Sequence, residues 1–414
     1  MLILKAQQII DGTGALPRRN AAVVVDGSKV VDVLPSGSLS EDGHEVIDLG
    51  AATIVPGLVD CHVHLMFEPA AERAAVCDTL AKDSDEMAVL RAARNAQLAL
   101  AAGVTTVRDC GGRGLTTLTL REAVAQGAIV GPRIIASGQP ITTTAGHLHF
   151  LGLEADTEAE VLKAGRGLVK AGVDFVKVCA TGGNMTPGSN SLAAQYGAAE
   201  LSALVADAHR LGKKVAAHAH SIDGIRNAVE AGIDSIEHCS WIGPDGKPAY
   251  DERTAAKIGE KGLTVGFTFT GLQRILLPKG NGRDPQDRRN LEQLQETLAV
   301  HRRMLADGLK IVVSSDGGVR LTRFEEFAHT LEVAVVGCGV APMRALELAT
   351  RVPAEALGLA DEIGSLQAGK QADLVVVDGD PSQDTRALGR VISVFKGGRL
   401  VAQQGRLVVG GQSV

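Results

Sequence analysis

The chain has 414 residues, 45% apolar and 22% charged, with a formal net charge of −6; this is an ordinary globular composition, with length for one large domain and a small one, and it excludes disorder. Only 3% of the residues are aromatic and the basic residues are scattered, so the sequence offers neither the stacking platforms nor the electrostatic footprint of a nucleic-acid binder. No run nears the ~18 apolar residues of a membrane helix, and Met1 to Lys5 pass into Gln7 and Gln8 without the longer apolar core of a secretory signal.

Residues 1–55 alternate β-rich runs (Leu2-Ile3-Leu4, Ala22 to Val25, Val30 to Val33) with turns such as Asp26-Gly27-Ser28. Residues 361–414 repeat that texture, with Ala372 to Val377, Val391 to Phe395 and a Gly397-Gly398 hairpin signal. The two ends are therefore expected to pair into one small β-sandwich, with residues 56–360 inserted between its halves.

Within the insertion, short apolar runs alternate with helix-period segments, the pattern of a parallel sheet. Eight runs are expected to be strands: 58–64, 104–109, 133–137, 173–180, 214–219, 235–238, 263–269 and 310–316. Ala-Gly-Val or Ala-Gly-Ile before three of them (Gly103, Gly172, Gly232) reads as a helix stop feeding a strand. Eight such units predict an α/β fold, a (β/α)₈ TIM-like barrel. An open doubly wound sheet is the alternative, but the cluster Gly111-Gly112-Arg113-Gly114 lacks G-x-G-x-x-G spacing. The six cysteines, Cys61, Cys77, Cys110, Cys179, Cys239 and Cys338, have no C-x-x-C spacing; free thiols in a reducing cytoplasm are expected.

Chemistry in a barrel collects at the C-terminal ends of the strands. There the first run carries His62 and His64, the fourth Lys177, the fifth His218 and His220, the sixth Glu237-His238 and the eighth Ser314-Ser315-Asp316. The i, i+2 spacing of His62 and His64 sends both imidazoles out on one face. Singly, each residue has an ordinary role: Lys177 at a solvent-facing edge, Asp316 as a helix cap, His238 as a satisfied core histidine. Together, polar groups flanked by apolar residues at five strand ends are accounted for by one metal site.

These residues, with Val55-Pro56-Gly57-Leu58-Val59-Asp60 before them and Gly369 to Val376 after them, resemble the amidohydrolase superfamily, in particular its imidazolonepropionase/prolidase-like branch. The resemblance implies a binuclear centre of two divalent ions, usually zinc. By position His62, His64 and Asp316 would hold the more buried ion and His218 and His238 the more exposed one, with N-carboxylated Lys177 bridging them. Burial among Phe175, Val176 and Val178 favours the neutral amine that adds carbon dioxide. Analogy with the family's spacing favours His218 over His220 as ligand and leaves His220 either to support the ligands or to contact the substrate. The implied reaction is attack of a metal-bridging hydroxide on an amide carbonyl, with Asp316 moving the proton to the leaving nitrogen.

Recognition is expected from the loops after the third and fourth runs. His147 and Tyr196 are candidate donors to a developing oxyanion. Prolidase-like relatives cleave dipeptides or N-acyl amino acids, whose free carboxylate calls for a guanidinium fork; Arg320 and Arg274 are the candidates. The alternatives are the same metal chemistry on a cyclic amide, carbamate, urea, lactone or organophosphate ester, and a non-catalytic metal-containing binding protein. The expected partner is a small molecule or dipeptide, not nucleic acid or membrane, with a homo-oligomer left open.

Overall fold

The computed structural model describes residues 1–38, 40–269, 271, 285–409 and 412–413. Both chain ends enter one ten-stranded sheet. Its junction is the strand Thr53–Pro56, which runs antiparallel to Leu374–Val377 and parallel to Leu2–Ile9. Side chains alternate across a strand, so neighbours on this one are sent into different cores. Ile54 packs with Leu4, Val23, Leu374 and Val376, whereas Val55 joins Val375 and Val377 in the main core. The apolar run that ties the ends together thus also anchors them to the rest of the molecule. Gly397 and Gly398, both at positive φ, turn the hairpin between Val391–Lys396 and Arg399–Gln403.

All eight apolar runs of the middle segment are strands: Leu58–Val63, Val104–Asp109, Arg133–Ala136, Phe175–Cys179, Lys214–Ser221, Ser235–Ile242, Thr264–Thr268 and Lys310–Ser314. They are numbered first to eighth below. The sixth runs four residues past its expected end, through left-handed backbone at His238, Cys239 and Trp241.

The first three strands pair in parallel, as do the last five. Between the third and fourth, Asp174 N–H donates to Ala136 O at 2.9 Å, and the Asp174 carboxylate accepts Ala136 N–H at 2.8 Å. Between the eighth and first, Asp316 N–H donates to His62 O at 2.9 Å and His64 N–H to Gly317 O at 2.8 Å. The first strand therefore has neighbours on both sides. This is an α/β fold with parallel sheets whose connections are consistent with a TIM-like barrel. No helix among the described residues is long and apolar enough to cross a membrane.

The closing contact is reinforced from the sequence's own motif. The Asp60 carboxylate accepts Ser315 N–H at 3.1 Å and the Ser315 hydroxyl, and also the His62 N–H at 3.3 Å. One buried carboxylate thus fixes the register between the strand bearing His62 and His64 and the segment bearing Asp316. Charge-assisted bonds of this kind contribute about 1.5–3 kcal/mol each.

Candidate metal centre

The C-terminal ends of the strands open into a cavity of about 310 Å³ lined by His62, His64, Lys177, His218, His238 and Asp316, with His147 and His220 beside them. Two trios of donor atoms lie within 4.8 Å of one another: His62, His64 and Asp316, and His218, His220 and His238. Asp316 Oδ1 is 3.5 Å from His62 Nε2 and 3.6 Å from His64 Nε2. The two trios adjoin, the His62 and His238 rings being 5.1 Å apart.

A carbonyl or carboxylate oxygen can only accept, so such a partner decides which imidazole nitrogen carries the proton. His64 Nδ1 donates to Gly111 O at 2.9 Å and His62 Nδ1 to Glu237 Oε2 at 3.0 Å. Both therefore keep a lone pair on Nε2, the nitrogen facing Asp316. His218 is reversed, its Nε2 donating to Gly182 O at 3.2 Å, which leaves the lone pair on Nδ1. His238 and His220 pair through Nδ1 with Thr268 Oγ1 at 2.6 Å and Ser240 Oγ at 2.8 Å. Metal-ligating histidines are oriented in this way, through the nitrogen that does not bind.

Electrostatics keeps these rings neutral. Burial pushes His64 and His220 down to about 4, and His62, His147, His218 and His238 well below the ordinary imidazole value. The same burial raises Asp316 to about 7, against the lowering pull of Lys177. Asp316 Oδ1 and Lys177 Nζ are both buried and make no hydrogen bond. His238 and Asp316 hold φ of +67° and +59°, a strain of about 1–3 kcal/mol each. Unsatisfied buried polar groups beside neutral imidazole donors grouped within 4.8 Å are what bound metal would satisfy, so the residues present fit a metal site.

Beneath the cavity, Glu237 is fully buried. Its Oε1 accepts from Arg108 Nη2 at 2.5 Å and from Ser235 Oγ at 2.7 Å, while Oε2 holds His62. Burial works against this carboxylate, but the Arg108 guanidinium and then His62 hold it well below the usual range. His62, Cys110 and Glu237 also lie close enough to form a third trio. Glu237 is already occupied, however, and burial pushes the Cys110 thiol up to about 12, away from the thiolate a metal requires.

The sequence matches the amidohydrolase family over residues 53–401. The chain belongs to that family. It is 28% identical to ochratoxinase from Aspergillus niger, over 96% of this chain and 86% of that one. It is also 28% identical to imidazolonepropionase from Symbiobacterium thermophilum, over 98% and 93%. Its fold superposes on the solved structure of a Xaa-Pro dipeptidase with methionine bound in the active site, with a TM-score of 0.83, 28% identity and coverage of 96% and 99%. This amidohydrolase is accordingly a hydrolytic enzyme, in a family whose members generally depend on metal, and its relatives act on small molecules.

Of the other residues singled out in the sequence, His147 and Arg320 line the cavity. Tyr196 does not: its hydroxyl is spent on Ala155 O at 2.7 Å, so the expected oxyanion role is withdrawn. Arg274 lies outside the described residues. His220 stands with His218 and His238 rather than apart from them. Sequence reasoning passed over Arg108, Thr268, Ser240 and Arg73, and took Asp60 only as part of a motif. Glu237 was visible as an acid preceding a candidate ligand, but nothing local pointed to its partner Arg108.

Proposed function

We propose that this amidohydrolase is a binuclear zinc enzyme that cleaves amide bonds of dipeptides or N-acyl amino acids ending in a free carboxylate. The observation that carries the substrate class is the charge of the cavity mouth. Arg73 and Arg320 both line it, and neither has an acidic partner among the described residues, whereas Asp316 is the one acid among the described residues that line the cavity. The two arginines belong to one rim, because Arg320 Nε donates to Ala71 O at 2.5 Å and Leu321 N–H to Ala70 O at 3.0 Å. Guanidiniums without an acidic partner, over a floor that two bound divalent ions would make cationic, suit a carboxylate. The methionine in the related dipeptidase structure supports the same reading.

His62, His64 and Asp316 would hold one ion and His218, through Nδ1, and His238 the other, with carboxylated Lys177 between them. A bare lysine buried without any hydrogen bond is costly, and a carbamate whose negative charge is offset by the two ions would remove that cost. Ions bound there would acidify a water molecule and polarise the scissile carbonyl. The chain's own residues do the rest. Asp316 accepts the water's proton and returns it to the leaving nitrogen, His147 donates to the oxygen on which charge develops, and Arg73 and Arg320 hold the carboxylate. The fold that carries this is inferred to be a closed (β/α)₈ barrel at residues 56–360, with a β-sandwich from residues 1–55 and 361–414.

Two outcomes are expected. Purified protein should carry two equivalents of zinc per chain, lose activity on chelation and regain it on adding zinc back; full activity after complete metal removal would sink the proposal. Arg320→Met and Arg73→Met should each raise KM for an N-acyl amino acid by about tenfold, the worth of one charge-assisted bond. The same variants should change little on the C-terminal amide of that substrate. A panel in which neutral lactones or carbamates turn over faster than any carboxylate-bearing amide would instead favour the alternative chemistry.

A further inference from the structure

His147 is brought to the cavity by a loop, and a loop residue holds its ring. Thr186 is buried, its Oγ1 accepting Leu148 N–H at 2.8 Å and lying 3.1 Å from His147 Nδ1. No other partner of this hydroxyl exists among the described residues. A threonine hydroxyl brings one hydrogen, and with an amide already donating to the oxygen, the remaining acceptor for that hydrogen is His147 Nδ1. The opposite tautomer would set Nδ1–H against the same oxygen and strand the hydroxyl hydrogen in a buried place, which native structures avoid.

We propose that Thr186 is a positioning residue that fixes His147 as the Nε2–H tautomer, so that its cavity-facing nitrogen is a standing hydrogen-bond donor to the substrate carbonyl oxygen. Three further observations fit. Nε2 makes no hydrogen bond of its own among the described residues and His147 lines the cavity. The ring lies 4.3 Å from that of His218 and is closed in by Gly183, where an added Cβ would fall 2.5 Å from Cε1 and Nε2. Leu148, at φ +59°, holds a left-handed conformation under the same hydroxyl. The loop after the fourth strand thereby holds both rings as the Nε2–H tautomer but presents opposite nitrogens to the cavity. Gly182 O turns the Nδ1 lone pair of His218 inward, and Thr186 turns the Nε2–H of His147 inward.

The inference rests on the amide-hydrolase reading for its catalytic meaning, and two measurements separate the two. In the metal-loaded full chain, Thr186→Val should lower kcat by about tenfold, less than the ~10²–10³-fold for losing an oxyanion donor outright because a mixed tautomer population keeps part of it, with KM within about twofold and unchanged metal content. Thr186→Ser should restore kcat. A Val variant with wild-type kcat, or a Ser variant as impaired as Val, overturns the role. Independently of activity, the imidazole nitrogen resonances assigned by difference with His147→Gln should report Nε2–H in the wild type and a mixed population in Thr186→Val. Nδ1–H in the wild type overturns the inference, and an enzyme that shows the Nε2–H tautomer but hydrolyses no amide overturns only the amide-hydrolase reading. Should Thr186→Val fail to fold, Gly183→Ala, which pushes the ring off Thr186, is expected to give the same kcat loss and the same mixed tautomer.

Discussion

Asp316→Asn is expected to lower kcat by about 10³-fold, within the range for removing a positioned acid–base group, and to leave the fold intact. Asparagine tolerates the left-handed φ of +59° at this position, and its amide occupies the same space without a charge to bury. The effect on stability has a definite sign. In the metal-free protein burial raises Asp316 from 3.8 to about 7, so between those values the native state holds a proton that the unfolded chain has released. Stability therefore falls as pH rises through that window and stays lower above it, by a few kcal/mol in order of magnitude. Metal-free Asp316→Asn should accordingly melt above metal-free wild type at pH 8 and converge with it near pH 4. Unchanged turnover in the variant would remove Asp316 from the chemistry; a melting difference independent of pH would remove the burial argument.

The second large effect is expected at the Arg108–Glu237 pair. Both groups are buried, their side chains 8% and 0% exposed, and joined at 2.5 Å. Arg108→Met leaves the Glu237 carboxylate without its cation in a desolvated site, which costs about 3–5 kcal/mol in comparable pairs. Substituting both residues by methionine removes the stranded charge, so the double variant should be more stable than Arg108→Met alone in denaturant unfolding. Glu237→Gln tests the other end of the pair. It weakens the anchor on His62 Nδ1, and metal affinity should fall by about 10–100-fold, the usual loss when a ligand's outer partner is changed. An Arg108→Met protein as stable as wild type, or a double variant worse than the single one, would show that the pair is not what holds the floor of the cavity.

The parts of this site that were legible in the sequence share a physical reason. Strand periodicity places His62 and His64 on one face, and apolar flanks mark Lys177, His238 and Asp316 as polar groups entering an interior. The structure brings all of these to one cavity. The two chain ends were legible likewise, as matching β textures that enter one sheet. Tyr196 shows where such reasoning stops. A tyrosine in the right loop is a candidate donor, but only the folded chain shows its hydroxyl already bonded to Ala155 O. Arg73 shows the converse, being unremarkable in sequence and brought to the rim with Arg320 by the Arg320–Ala71 contact across 249 positions.

What the sequence determined by itself, then, is the succession of strands and the residue types at their C-terminal ends, because alternation and burial are local properties of a strand. What the tertiary structure decided is which groups meet and which atom of each is presented. Glu237 finds Arg108 across 129 positions, Asp60 finds Ser315 across 255, and Gly182 and Gly111 turn two histidines in opposite senses. Hydrogen-bond geometry between elements fixes those choices, and it exists only once the strands lie side by side.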